Sequence, residues 1–179
     1  MDQPNTLVVY YSDTGNTRLA AEQAASLLDA VLEPIQPRGL KAGLWGYLLR
    51  AWAAFRGRPA GIEDSRNDPR AFDLVVVCSP VWMGHISTPA RAYLMRHVRN
   101  LRQIALVLTS SAGVKVKVAR DLTDICGRQP VAVARITDAD RKNGQDRDKI
   151  TEFVALAKAA VLDGSVEASG GAKKSLIGG

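Results

Sequence analysis

Short apolar runs rich in valine recur along this chain, and a helical stripe follows each one; no other feature restricts the fold so much. Residues 7–11 (LVVYY) form the first run, and Ala20, Ala24, Leu27, Leu28 and Val31 then fall on one helical face expected to end near Asp29. Residues 30–35, closed by Pro34 and Pro37, read as a weak second strand. A second helix is expected over 40–55, with Leu40, Leu44, Leu48, Trp52 and Phe55 sharing a face, and Gly57, Pro59 and Gly61 break it. Residues 72–79 (FDLVVVCS) are the cleanest buried strand. Thr88-Pro89 then opens a third helix to about Arg99, with a hydroxyl at the expected N-cap and proline at the first helical position. A fourth strand (104–108), a helix carrying Val118, Leu122, Ile125 and Cys126, a fifth strand (131–136) and a last helix through Ile150, Phe153, Val154, Ala157 and Val161 complete the series.

Parallel neighbours need crossover connections, and those are right-handed, so this alternation predicts an α/β chain: a three-layer doubly wound sandwich around a five-stranded parallel sheet. The 179 residues, 46% of them hydrophobic, suit one domain over 1–163. Residues 164–179, small, polar and glycine-rich, are expected to form a flexible tail. No stretch approaches the roughly 20 apolar residues of a membrane span, and MDQPNTLVVYY has no basic leader region, so a cytoplasmic protein is expected. Cys78 and Cys126 have no metal-ligand spacing and read as buried thiols. The net charge of +6 is compatible with an anionic cofactor or an acidic partner; the scattered arginines, with no aromatic-basic module, argue against nucleic acid.

In an open parallel sheet the ligand crevice lies beyond the carboxyl ends of the strands. Three strand-to-helix loops reach that edge. SDTGNT (12–17) lacks the three glycines of a dinucleotide fingerprint and the GK[ST] of a Walker loop. It places Ser12, Asp13, Thr14, Gly15, Asn16 and Thr17 at a helix start, where unpaired N–H groups and the helix dipole can hold a phosphate monoester without a lysine. The plainer reading is an ordinary hydroxyl N-cap. SPVWMG (79–84) sets Pro80, Val81, Trp82, Met83 and Gly84 after the central strand. An indole there either covers a flat ligand or packs against the next helix. TSSAG (109–113), with Ser110, Ser111, Ala112 and Gly113, is small enough for backbone to approach a ring edge, and its serines have no His/Asp partners for hydrolysis.

These residues resemble the flavodoxin-like family. Ser12 to Thr17 is similar to the family's [S/T]-x-T-G-x-T phosphate loop for flavin mononucleotide (FMN), 79–84 to its second loop, where an aromatic residue stacks on the flavin and a peptide bonds N5, and 109–113 to its ring-edge loop. The resemblance covers about 6–162 and implies strand order 2-1-3-4-5 with FMN as cofactor. Three departures qualify it. The third loop has no aromatic residue, which leaves one flavin face open; the chain is basic where single-electron flavodoxins are usually acidic; and the second helix carries two tryptophans. Trp45 and Leu49, off that helix's sheet-facing stripe, suggest a homodimer face or an overhang of the flavin, against the simpler reading of a helix that only covers the sheet. Arg50, Arg56 and Arg58 could meet a pyridine nucleotide or simply be solvated, and Lys115, Lys117 and Arg120 invite an anion or serve solubility. His85 is a candidate proton donor near the flavin.

The resemblance therefore implies an FMN-binding redox protein that takes electrons from NAD(P)H or a reductase and passes them to a quinone-like or protein acceptor. The alternatives are a single-electron carrier with no turnover of its own and a flavin-free interaction module.

Overall fold

The computed structural model describes residues 4–38, 61–111, 125, 127 and 129–173. The strands are β1 (Thr6–Tyr10), β2 (Val31–Pro34), β3 (Leu74–Trp82), β4 (His85–Ile86), β5 (Gln103–Ser110) and β6 (Ala132–Thr137). The helices are α1 (Asn16–Leu28), α2 (Thr88–His97), α3 (Asp138–Lys142) and α4 (Asp146–Lys173). Five strands pair in parallel in the order β2-β1-β3-β5-β6. This is the expected five-stranded doubly wound order, with one correction to the count. The two-residue β4 turns back antiparallel on the end of β3, a hairpin the apolar periodicity does not foresee.

Alternate residues of the sheet feed two cores. Leu7, Val9, Val75, Val77, Leu106 and Leu108 face one side with Ala90, Tyr93 and Leu94 of α2. Val8, Val76, Cys78, Ala105 and Val107 face the other, against the small Ala20, Ala21 and Ala24 of α1 and Ile150, Phe153 and Ala157 of α4. Alanines let α1 lie close on the sheet, and burial pushes the Cys78 thiol pKa far up, as its reading as a structural thiol requires.

Helix α1 ends where expected, with Asp29 in the left-handed region (φ 51°) and the Ala30 N–H closing on the Ala25 carbonyl at 2.9 Å. Helix α2 corrects the expected cap: Ser87, not Thr88, holds the N-cap position, and its hydroxyl serves elsewhere. Helix α4 runs to Lys173, into the segment expected to be a tail. The expected helices over 40–55 and around 118–126 lie outside the described residues, apart from Ile125. Among the described residues no helix is long and apolar enough to cross a membrane.

The edge strand β2 carries a buried carboxylate. Glu33 is 5% exposed and accepts from the backbone N–H groups of Arg66 and Asn67 at 2.8 and 3.1 Å and from the Asn67 side-chain amide at 2.7 Å. Three donors satisfy an anion that would otherwise be costly to bury.

Candidate functional site

Strands β1 and β3 are neighbours although β2 comes between them in sequence, and the crevice of the fold opens at this reversal, beyond their carboxyl ends. Leaving β1, the chain makes a turn in which the Ser12 hydroxyl accepts from the Gly15 N–H at 3.1 Å. Gly15 is the N-cap of α1 at φ +91°. A Cβ there would meet nothing within 4 Å, so glycine is needed for the dihedral and not for space. Among the described residues no side chain caps this helix. Its first intrahelical bond runs from the Leu19 N–H to the Gly15 carbonyl, so the N–H groups of Asn16, Thr17 and Arg18 have no acceptor within the helix. Thr14 stands exposed beside them, and Thr17 turns inward, 2% exposed. This stretch does not form an ordinary hydroxyl N-cap among the described residues: the Ser12 hydroxyl, accepting from the Gly15 N–H, closes the turn and leaves the helix start open.

The second loop is a continuation of β3. The strand runs through Pro80 and Val81 to Trp82, and beyond the Tyr10–Cys78 pair β1 has ended, so Pro80 gives up no ladder bond on that side. Met83 (φ 51°) and Gly84 (φ 86°) then form a two-residue hairpin turn with positive φ at both positions, as a type I′ turn requires. Met83 is 79% exposed at its tip. Trp82 and His85 sit opposite each other across the hairpin. Its base is locked by buried serines: the Ser79 and Ser87 hydroxyls are 2.9 Å apart, and the Ser87 N–H donates to Ser79 Oγ at 3.0 Å. Trp82 is half-buried against the α2-side core and stands edge-on to Tyr11, with ring centroids 5.8 Å apart and planes at 89°. The Tyr11 hydroxyl in turn donates to Asp13 Oδ1 at 2.7 Å, tying the second loop to the first. The indole packs on Tyr11 and the α2-side core and borders the crevice.

The third loop begins at the end of β5. Thr109 and Thr17, both buried, bring their hydroxyls to 2.7 Å. Ser110 and Ser111 follow, while Ala112, Gly113, Lys115, Lys117 and Arg120 lie outside the described residues, as do Arg50, Arg56 and Arg58.

One cleft of about 230 Å³ joins these loops. From the first it takes Asp13, Thr14, Asn16 and Thr17, from the second Pro80, Val81 and Trp82, and from the third Ser110 and Ser111. Ser12, Gly15, Met83 and Gly84 shape the turns without lining it. Two lining residues are additional to those picked from the sequence, Thr109 and Asp138. Asp138 opens α3, and the Thr-x-x-Asp pattern at 137–140, a helix start directly after a strand, was the signal available for it. Asp138 pairs with Arg141 one turn on. Behind it the capping box is complete: the Asp140 carboxylate accepts from the Thr137 N–H at 2.7 Å, and the Thr137 hydroxyl accepts from the Asp140 N–H at 3.1 Å. Lys149 at 2.7 Å and Thr137 hold the Asp140 pKa down to about 2. A larger hollow of about 450 Å³ lies between α1 and α4, but none of its lining residues comes from a loop at the carboxyl edge.

The cleft offers an acceptor-only ligand the open start of α1 and several hydroxyls, with an indole among its walls. No family model matches the chain, and no curated protein does. Solved structures do match. A flavoprotein from Lactobacillus acidophilus, solved in complex with FMN, is 24% identical over 78% of this chain and 97% of its own, at TM-score 0.62. A protein from Bacteroides eggerthii, provisionally classed as a flavoprotein, is 17% identical over 86% and 98%, at TM-score 0.67. Oxidised flavodoxin 2 from Bacillus cereus is 15% identical over 86% and 97%, at TM-score 0.54. With its parallel strand order and these structural matches, this chain has the flavodoxin-like fold.

Proposed function

We propose that the chain is a cytoplasmic FMN-binding redox protein, taking electrons from a pyridine nucleotide or a reductase and passing them to a quinone-like or protein acceptor. The observation that carries this reading is the uncapped start of α1 opening into the same cleft that Trp82 borders. A helix end left open at a ligand edge suits a phosphate monoester, and an aromatic wall suits a flat ring. That a neighbour of the same fold was solved with FMN bound adds to it.

In this reading the N–H groups at the start of α1, with Thr14, Asn16 and Thr17, hold the phosphate. Trp82 borders the ring, its indole fixed by Tyr11 on one side and the hairpin on the other. Ser110 and Ser111, lacking aromatic bulk, leave one ring face reachable by a hydride donor or acceptor. The redox chemistry itself would come from the flavin.

The test is direct. The purified chain, or the apoprotein given FMN, should be yellow and release FMN on denaturation. A colourless protein that cannot be reconstituted would refute the flavin reading and leave an interaction module. Mixing the holoprotein with NADPH without oxygen separates the roles: prompt bleaching marks an oxidoreductase, and bleaching only after a reductase is added marks a carrier.

A further inference from the structure

Thr17 and Thr109 are 92 residues apart in sequence, yet their hydroxyl oxygens meet at 2.7 Å in a buried contact, and both residues line the cleft. Each hydroxyl has one proton and two acceptor sites. If Thr17 donates to Thr109, its proton is spent inside the pair. If Thr109 donates to Thr17, the Thr17 proton stays free for the cleft, at the first turn of α1 where the helix N–H groups are open. An ionised phosphate only accepts, so it favours the second arrangement, and the donated bond polarises the Thr17 hydroxyl toward it.

We infer that Thr109 is a positioning residue for anion binding: its hydroxyl donates to Thr17 and so directs the Thr17 proton at a phosphate in the cleft. The inference rests on the flavin reading and adds a residue from the third loop to the phosphate end of the site, although that loop was expected to meet only the ring edge.

Titration of the full-length apoprotein with FMN and, separately, riboflavin tests it, because riboflavin lacks only the phosphate. Thr109→Val should weaken FMN binding roughly threefold to tenfold, the worth of one modest hydrogen bond, and leave riboflavin affinity unchanged. Thr109→Ser should restore FMN binding. Thr17→Val should cost more than Thr109→Val, and adding Thr109→Val to Thr17→Val should cost nothing further, since the second residue acts through the first. If valine is not accommodated, Thr109→Ala removes the same hydroxyl. Equal losses for both flavins, additive losses in the double variant, or a larger effect at Thr109 than at Thr17 would overturn the assignment. A wild-type protein that binds neither flavin overturns the flavin reading itself, and that result is in hand before any variant is compared.

Discussion

Two helices start at the same edge of the sheet and are finished in opposite ways. Helix α3 begins with a complete capping box, Thr137 and Asp140 satisfying each other's backbone N–H groups and Lys149 securing the carboxylate. Helix α1 begins with Gly15, and among the described residues no side chain caps it: Ser12 closes the turn and Asp13 holds Tyr11 instead. A closed cap adds about 1 kcal/mol to stability. The chain forgoes that at α1, which lends the cleft Asn16 and Thr17, and takes it at α3, which lends only Asp138. Local polarity does not distinguish the two ends; what does is where the polar groups point.

Closing the open end should have the largest effect. Thr14→Glu puts a carboxylate beside the α1 N–H groups; it should lower FMN affinity about a hundredfold through a lost donor and charge repulsion. Because Thr14 is exposed, the apoprotein should keep its stability to within about 1 kcal/mol, any change favouring the folded state through the helix dipole. Unchanged flavin affinity in a titration would make the α1 start a plain helix end.

Opening the closed end is the reciprocal experiment. Asp140→Asn should cost about 1 kcal/mol at pH 7 in urea unfolding and leave FMN affinity unaltered. A carboxyl whose folded pKa is depressed adds stability above its ordinary pKa of about 3.9 and loses it as pH falls toward the folded value of about 2. Wild type and variant should therefore converge between about pH 4 and pH 2. A gap of constant size over that range would show that the carboxylate's charge is not what closes the end.

The smallest effect concerns the wall between the two helix starts. Met83→Gly relieves a non-glycine residue at φ 51° and should raise stability by about 0.5–1 kcal/mol, read as a small rise in thermal midpoint. No rise would mean that the turn is not strained by its methionine.

Most of the frame could be read from residues because its signals are local. The valines of 74–77 are buried on both faces, and helix α1 ends at Asp29 as expected, although Val31, counted on its stripe, belongs to β2 and Leu27 is exposed. The loop Ser12 to Thr17 was legible for the same reason, its hydroxyls and glycine being adjacent in sequence. The hairpin after Trp82 was not. Two-residue turns of its type announce themselves with Asn-Gly or Asp-Gly, and here a methionine takes the first positive-φ position under the hold of the Ser79–Ser87 lock. Nor did any local pattern show Thr109 meeting Thr17, or Asp138 entering the cleft. Those placements come from parallel registers, such as Ser110 beside Thr137, which bring distant strand ends level.

Glu33 has a consequence for how the chain reaches this structure. Because successive side chains on a strand point to opposite faces, a one-residue slip of β2 along β1 would turn Glu33 away from the three N–H donors of Arg66 and Asn67. The slipped strand would also bring a different side chain to those donors, leaving them unanswered. The edge strand, short and half-exposed, has little hydrophobic weight with which to choose its alignment. Its carboxylate favours one alignment: only the observed register places Glu33 where the 66–67 segment can close over it.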